Sequence, residues 1–159
     1  MDLSFQTIVF WLSTGLGLGY VPLVPGAAGA LAGAILAFGL KRLQFRTRTA
    51  AVAVFIAVSI PICEFGSQPY GGQDHSSIVA DELFAFPLTT LTLSMRSRPV
   101  HFAGIFIVNR VLDRLKPPPA GIAERLPGGF GIVMDDVVAN TWILIFVTIG
   151  HYMLRKKHL

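Results

Sequence analysis

The sequence predicts an all-α fold: a compact, membrane-embedded bundle of about five to six helices with broken or short N-terminal helices. The first reason is composition, since 53% of the 159 residues are hydrophobic and only 14% are charged, whereas soluble domains are nearer one quarter charged. The second reason is that apolar residues gather in runs separated by Gly, Pro and charged residues. These runs are Ile8–Leu18, Ala27–Leu40, Ala50–Ile62, Leu83–Leu93, Phe102–Val108 and Val137–Met153. The length predicts one domain over residues 1–159.

The first two predicted helices are interrupted by glycine and proline. The stretch Gly15–Gly26 is rich in both residues and breaks the first apolar segment. Gly26, Gly29 and Gly33 then lie in an Ala-rich helix, where small residues allow a neighbouring helix to approach closely. Cys63 is a single cysteine without metal-ligand spacing around it, and is interpreted as a small buried residue.

Three later segments become long enough to cross a membrane, or nearly so, once flanking turns are included. They are Ser77–Met95, Pro99–Leu115 and Ile132–Leu154, against the roughly 20 apolar residues that a spanning helix needs. Proline ends the segment before Pro117, because proline cannot donate a backbone hydrogen bond. A net charge of +4 without a basic, aromatic-interleaved stripe argues against nucleic acid as a partner and suits an anionic lipid surface.

The charged residues alternate along the chain with a clear polarity. Basic residues follow the second, fourth and sixth segments: Lys41, Arg42, Arg46, Arg48, Arg96, Arg98, Arg155, Lys156 and Lys157. Apart from Asp2, the acids lie in the other connections: Glu64, Asp74, Asp81, Glu82, Asp113, Glu124, Asp135 and Asp136. In an up-down bundle the two groups fall at opposite ends, so we expect one basic end and one acidic cluster.

Two pairs of adjacent acids, Asp81-Glu82 and Asp135-Asp136, need compensation. Two carboxylates 4 Å apart repel by roughly 4 kcal/mol at an effective dielectric constant of 20. An all-oxygen ligand set favours a hard cation such as Mg²⁺, and the scarcity of histidine argues against zinc. The alternative is that both pairs occupy first-turn positions, where the helix dipole favours acids.

Basic side chains and glycines near these acids suit a phosphate. Arg110 and Asp113 are three residues apart on a predicted helix, and Lys116 follows three later. An arginine fork binds phosphate oxygens in a bidentate manner and lysine supplies a point charge; the alternative is a plain Arg–Asp ion pair. Gly128 and Gly129 lead into a helix whose free amides suit an anion, or form an ordinary turn. Together these features favour metal-assisted phosphoryl chemistry.

Three blocks of residues carry a family resemblance, over roughly residues 5–153. They are Gly17-Leu-Gly-Tyr-Val-Pro-Leu-Val-Pro-Gly-Ala-Ala-Gly29, Asp74-His-Ser-Ser-Ile-Val-Ala-Asp-Glu82, and the pair of Arg110-Val-Leu-Asp-Arg-Leu-Lys-Pro117 with Glu124-Arg-Leu-Pro-Gly-Gly-Phe-Gly-Ile-Val-Met-Asp-Asp-Val-Val-Ala139. In these blocks the chain resembles phosphatidylglycerophosphatase A, a family of bacterial membrane lipid phosphatases. The resemblance implies Mg²⁺-dependent hydrolysis of phosphatidylglycerophosphate to phosphatidylglycerol and phosphate. It also implies a location in the inner membrane, with the active site facing the cytoplasm, whereas the positive-inside rule applied to the basic end would turn the acidic end outward.

The resemblance and the residues together give a working assignment. The motif acids are Asp74, Asp81, Glu82, Asp113, Asp135 and Asp136. Among these, Asp81, Glu82, Asp135 and Asp136 are expected to hold one or two Mg²⁺ ions. Arg110 and Lys116 clamp the phosphate with the amides of Gly128 and Gly129, while Asp113 or Asp74 orients the attacking water. A covalent aspartyl-phosphate is an alternative route.

Four positions depart from the family pattern. The chain has Ala27 where the family usually has Thr, Ala85 and Asn140 where it has Gly, and Asn109 where it commonly has Phe. The departures at Ala27 and Asn140 leave a catalytically silent lipid-binding relative as one alternative function. Intramembrane acids and glycine-interrupted helices leave a transporter or ion-pathway subunit as another.

Overall fold

The computed structural model describes residues 3–94, 96–115, 118–123 and 125–156, and these residues form helices and turns with no strand. The α-helices are α1 (Leu3–Ser13), α2 (Pro25–Leu40), α3 (Phe45–Gly66), α4 (Ala80–Ala85), α5 (Pro99–Leu115), α6 (Ala120–Ala123) and α7 (Gly128–Lys156). Short 3₁₀ helices cover Leu18–Tyr20, Gln68–Tyr70 and Phe86–Thr90. Since α4 and α6 span only 6 and 4 residues, the predicted all-α bundle of about five to six helices is confirmed.

The N-terminal helices are short, as predicted. Helix α1 has 11 residues and α2 has 16, so neither reaches the length of a spanning helix. Gly15 and Gly17 take positive φ angles of 58° and 98° in the connection, a conformation that glycine adopts without a steric penalty. Helix α2 then begins at Pro25, whose fixed φ suits the first helical position.

The two long helices α3 and α7 make the most extensive helix–helix contact in the described chain. They have 22 and 29 residues. Phe45–Gly66 and Gly128–Gly150 are long and apolar enough to cross a membrane by length and composition. Only 22% and 33% of their most apolar windows are buried within the protein, so most of each helix surface faces outward.

The predicted later segments have mixed outcomes. Helix α5 has the predicted bounds, and α7 contains the segment predicted from Ile132 onward. A single helix over Ser77–Met95 is wrong: α4 ends at Ala85, and the chain continues as a 3₁₀ helix. Pro87 explains the break, because it has no N–H to continue the α-helical hydrogen bonding. Met95 lies outside the described residues.

The short helix α4 lies between two hydrophobic clusters. One cluster follows it, where Phe86 packs with Phe102, Ile143 and the alanines of α2. The other surrounds Ala80 at its start and contains Cys63 of α3 and residues of α7. Cys63 is fully buried and free, as predicted. Helix α4 therefore contacts α2, α3 and α7, which fixes its position in the bundle.

The small residues of α2 permit the close approach of α4. A Cβ added at Gly33 would lie 2.6 Å from Phe86 Cβ and 2.7 Å from the Leu83 carbonyl oxygen. A Cβ at Gly29 would lie 2.7 Å from Val79 Cβ. The predicted glycine face thus exists, and its partner is the segment that carries Asp81 and Glu82.

Basic residues at the end of α2 and the start of α3 hydrogen-bond to backbone carbonyls of the connection before α5. Arg48 is buried and donates to the backbone carbonyls of Leu91 and Leu93. Lys41 donates from Nζ to the Ser97 carbonyl oxygen at 3.1 Å. These contacts give two of the predicted basic-end residues a structural role, since each satisfies backbone carbonyls in the connection that precedes α5.

Candidate active site

Six acidic side chains from separate segments of the chain line one pocket of about 190 Å³. They come from the loop before α4, from α4, from α5 and from α7: Asp74, Asp81, Glu82, Asp113, Asp135 and Asp136. Pro25, Gly26, Ser76 and Ile78 complete the lining. The structure therefore brings together all the acids that the sequence singled out as motif residues.

Helix α4 holds Asp81 and Glu82 in its first turn. Its start is tied to α1, because the Val79 N–H donates to the Ser13 carbonyl oxygen at 2.9 Å. Asp81 is only 5% exposed. Asp81 Oδ1 and Glu82 Oε2 are buried without a hydrogen-bond partner among the described residues. Buried carboxylate oxygens are costly without a donor or a cation, so these two atoms are positioned for a ligand.

Helix α7 contributes the second acid pair. Asp135 and Asp136 are 8% and 4% exposed. The Asp136 N–H donates to Asp135 Oδ1 at 2.8 Å, while Asp136 Oδ2 is buried without a hydrogen-bond partner in the described chain. The alternative that both pairs occupy first turns is wrong for α7, which begins at Gly128, about two turns earlier. The helix dipole therefore does not account for this pair, since its effect is confined to the first turn.

Asp81 and Glu82 have raised pKa values among the described residues. Burial raises the pKa of Asp81 well above its ordinary value, and the neighbouring carboxylates raise it further. Burial also raises the pKa of Glu82 to about 7, although Arg110 acts in the opposite direction. A bound cation would favour the ionised forms and reverse both shifts.

Arg110 is the cation of α5 that reaches this cluster. Its Nη1 lies 3.5 Å from Glu82 Oε1 and 3.5 Å from Asp113 Oδ2. The plain Arg–Asp pair considered from the sequence is thus present, but it extends to an acid of α4. Nε and Nη2 donate to Asn109 Oδ1 at 3.1 and 2.9 Å. The guanidinium is therefore held on both sides beside the pocket.

The predicted glycine amides have another partner. The Gly129 N–H donates to the Glu64 carboxylate, and a Cβ at Gly128 would collide with the same carboxylate. Both glycines lie outside the described lining of the acidic pocket. The structure thus does not bring Gly128 and Gly129 to the site, and their phosphate-binding role stays a prediction. Lys116, Glu124 and Lys157 lie outside the described residues.

The loop before α4 places Asp74 and Ser76 at the pocket and turns His75 away from it. The exposed His75 ring stacks on Tyr70 with a centroid separation of 3.9 Å. Its Nδ1 lies 2.8 Å from Ser77 Oγ. These contacts hold His75 in the loop, outside the lining of the acidic pocket.

The comparison with known proteins decides the family. The family model of phosphatidylglycerophosphatase A matches residues 11–151. The chain belongs to the phosphatidylglycerophosphatase A family. The family is one of phosphatases, so the expectation that the chain is an enzyme is confirmed.

Curated relatives align over most of both chains. A phosphatidylglycerophosphatase A of Escherichia coli (strain K12) is 34% identical over 145 residues, which cover 89% of this chain and 83% of the relative. A phosphatidylglycerophosphatase A of Haemophilus influenzae is 32% identical, with 96% and 94% covered. A Bacteroides thetaiotaomicron protein, provisionally named a phosphatidylinositol-3-phosphatase, is 28% identical, with 90% and 93% covered. No solved structure gives a significant match.

The pocket of this phosphatidylglycerophosphatase A family member fits a hard divalent cation. Three carboxylate oxygens from two helices lack hydrogen-bond partners in the described chain: Asp81 Oδ1, Glu82 Oε2 and Asp136 Oδ2. Hard cations prefer such oxygen donors. Within the described residues, no three acidic, His or Cys side chains form a ready-made coordination group. Side-chain rotation or water ligands would therefore complete the shell of an ion held here.

Sequence reasoning missed one contact away from the pocket of this family member and one beside it. Away from the pocket, Glu64 accepts the Gly129 N–H at the start of α7, although 65 residues separate the two. Asn109 contacts Arg110 and, across a helix interface, Asn140. The departure from the family pattern at Asn109 and Asn140 was the available signal for the second contact, and the helical spacing alone did not show that the two amides meet.

Proposed function

We propose that the chain is a Mg²⁺-dependent lipid phosphatase that hydrolyses phosphatidylglycerophosphate to phosphatidylglycerol and inorganic phosphate in phospholipid biosynthesis. The observation that carries this proposal is the convergence of six acids from four segments on one pocket beside Arg110. Two relatives more than 30% identical are named for this activity. Acidic side chains with an arginine at their edge are the parts that metal-assisted phosphoryl transfer uses.

Asp81, Glu82, Asp135 and Asp136 would hold the Mg²⁺. Their support is the position of the four side chains around one pocket, three of them buried, together with the oxygens that lack hydrogen-bond partners on α4 and α7. When bound, Mg²⁺ neutralises these carboxylates and stabilises negative charge on the phosphoryl oxygens. Without such neutralisation a phosphate would meet a strongly negative pocket.

Arg110 orients the phosphate in this proposal. Its Nη1 faces Glu82 and Asp113 at 3.5 Å, and both of these acids line the pocket, so the guanidinium lies at the edge of the pocket. A guanidinium binds two phosphate oxygens at once. Lys116, six residues further along the chain, is assigned the second phosphate contact from the sequence alone.

Asp113 and Asp74 are the proposed groups for handling the proton. Both line the pocket without belonging to the two acid pairs. One of them orients a water molecule and accepts its proton as the new phosphorus–oxygen bond forms. The bond between phosphorus and the glycerol oxygen breaks, and that oxygen takes up a proton.

A lipid substrate agrees with the surface of the protein. Helices α3 and α7 are long and apolar, and they are mostly unburied within the protein. Ile35, Val54, Ile107 and Phe146 are each more than half exposed on different helices. Such extensive apolar exposure supports a membrane-facing surface. We place the protein in the bacterial inner membrane, with the pocket at the cytoplasmic face where the lipid substrate is made.

A phosphate-release assay on purified protein in detergent tests the proposal. Phosphatidylglycerophosphate should yield phosphate with Mg²⁺, and chelation with EDTA should stop the release until Mg²⁺ is restored. Phosphatidylinositol 3-phosphate and glycerol 3-phosphate serve as the other two substrates. Faster turnover of phosphatidylinositol 3-phosphate would contradict the proposed substrate and favour the one in the name of the Bacteroides relative.

Asp136→Asn is the decisive variant, with Thr148→Val on the same helix as its control. Asp136 lines the pocket, whereas Thr148 hydrogen-bonds Thr92 at an exposed site. We expect at least a 100-fold loss for the first variant and an unchanged rate for the second. Near-normal turnover by Asp136→Asn would contradict the assignment. Solute flux without phosphate release would favour the alternative of a transporter or ion-pathway subunit. Lipid binding without phosphate release would favour the alternative of a catalytically silent lipid-binding relative.

A further inference from the structure

A buried pair of asparagines joins α5 to α7 beside the acidic pocket. Asn109 and Asn140 are 2% and 1% exposed. Asn109 Nδ2 donates to Asn140 Oδ1 at 2.7 Å, across 31 residues of sequence. Burying amide groups in an apolar bundle is unfavourable unless they are hydrogen-bonded. The pair therefore needs a reason beyond packing.

The direction of the hydrogen bonds identifies that reason. Arg110 donates to Asn109 Oδ1 from both Nε and Nη2, at 3.1 and 2.9 Å. A guanidinium has donors only, so it fixes which end of the Asn109 amide faces it. The remaining Nδ2 of Asn109 must then meet an acceptor, which Asn140 Oδ1 provides. The orientation of both amides follows from the arginine.

The same constraint explains an unfavourable feature of the pair. Asn140 Nδ2 is buried and has no hydrogen-bond partner in the described chain. Because Asn140 Oδ1 must accept from Asn109 Nδ2, Asn140 Nδ2 points where the described chain offers no acceptor. A buried unpaired donor costs about 1–3 kcal/mol. An apolar residue at position 140 would avoid this cost but would leave Asn109 Nδ2 unpaired.

We propose that Asn109 and Asn140 are positioning residues that set the orientation of Arg110, which rests on the proposed role of Arg110 in phosphate binding. Asn109 occupies the Nε–Nη2 edge of the guanidinium. The opposite edge, including Nη1, faces Glu82 and Asp113. Asn109 thereby directs the remaining N–H groups toward the pocket acids Glu82 and Asp113, and Asn140 keeps Asn109 in the amide orientation that does so.

The kinetic test uses phosphate release from phosphatidylglycerophosphate. Asn109→Leu, which keeps the size of the side chain but removes the acceptor, should lower kcat/KM about 10-fold by misplacing the guanidinium. Asn109→Asp keeps an acceptor for Arg110 and should recover most of that loss. In an Arg110→Ala background, Asn109→Leu should have no further effect, because the group that it positions is absent. An equal loss in both backgrounds would overturn the proposal and leave a purely structural role.

Asn140 has its own test, because it acts through Asn109. Asn140→Leu should lower kcat/KM less than Asn109→Leu, and it should add nothing in the Asn109→Leu background. Thr148→Val is the matched control on α7, since it also removes a hydrogen bond from α7 to another segment but lies away from the pocket. An effect of Thr148→Val as large as that of Asn140→Leu would overturn the proposal.

A spectroscopic readout separates this proposal from the proposed function. In protein labelled with ¹⁵N-arginine, the Nε–H resonance of Arg110 is identified by its loss in Arg110→Lys. Asn109→Leu should shift this resonance and Asn140→Leu should shift it less, whatever lipid the protein hydrolyses. If the wild-type protein releases no phosphate, the proposed function is refuted, but the shift of the Arg110 resonance still tests the positioning role of the two asparagines. An Arg110 resonance that neither variant moves would refute the positioning role.

Discussion

Gly33→Ala should damage both the fold and the site, although alanine is normally the better helix former. The added Cβ would lie 2.6 Å from Phe86 Cβ and 2.7 Å from the Leu83 carbonyl oxygen, whereas ordinary contact begins at 3.4 Å. Helix α4 and the turn after it must therefore shift by roughly 0.8 Å, the difference from ordinary contact. Overpacking of this kind costs about 1–3 kcal/mol, against a gain of about 1 kcal/mol from replacing glycine in a helix.

The net result is a predicted loss of about 1 kcal/mol in the free energy of unfolding, or about 2–4 °C in the midpoint of thermal unfolding for a chain of this length. Activity should fall further, because the displaced segment carries Glu82, and a 1 Å misplacement costs up to about 100-fold. We expect at least about a 10-fold loss in phosphate release. Differential scanning fluorimetry and the phosphate assay measure the two effects.

Gly39→Ala is the matched control on the same helix. A Cβ at Gly39 has nothing within 4 Å, so this variant should keep full activity and gain a few tenths of a kcal/mol near the helix end. Both variants replace a glycine of α2 by alanine, so the difference between them excludes the shared effect of helix propensity and isolates the effect of the close contact. The reasoning is refuted if Gly33→Ala is as stable and as active as Gly39→Ala.

Three further substitutions test other contacts. Arg110→Lys keeps a positive charge but loses the guanidinium fork, so kcat/KM should fall about 10- to 100-fold; an unchanged kcat/KM would show that charge alone suffices. Glu64→Ala removes the carboxylate that accepts the Gly129 N–H at the start of α7 and should lower the free energy of unfolding by about 1 kcal/mol, with Glu64→Gln recovering most of it. Arg48→Met leaves two buried carbonyls without their donor and should cost about 2 kcal/mol in stability while the rate per folded molecule stays the same; a lower rate would link this end of the bundle to the site.

The sequence predicted that the six motif acids meet, although the same rule also grouped Glu64 with them, and Glu64 lies instead at the start of α7. Charges in alternate connections of an up-down bundle fall at one end, and this rule depends only on the order of helices. It placed Asp74, Asp81 and Asp136 together without any knowledge of side-chain geometry. The bounds of α5 were predictable for a similar reason, since proline marks its start at Pro99 and follows its end.

Local pattern failed where a distant contact or a single proline decided the structure. The apolar run after Ser77 is long enough for one helix, but Pro87 divides it. The Gly128-Gly129 amide site is an open anion site by local sequence, yet Glu64 of another helix fills it. The Asn109–Asn140 hydrogen bond likewise depends on how α5 and α7 cross. Such pairings depend on tertiary packing, which helical spacing within one segment does not determine.

Titration of the purified protein with Mn²⁺, followed by electron paramagnetic resonance, tests the central claim most directly. The claim is that carboxylates from α4 and α7 bind one divalent cation site together. Wild-type protein should bind Mn²⁺ in competition with Mg²⁺. Asp81→Asn and Asp136→Asn should each weaken binding at least about 10-fold, since even the outer-shell partners of metal ligands contribute about 10- to 100-fold to affinity, whereas Thr148→Val should not. Wild-type protein that binds no Mn²⁺, or variants that bind it with unchanged affinity, would contradict the account.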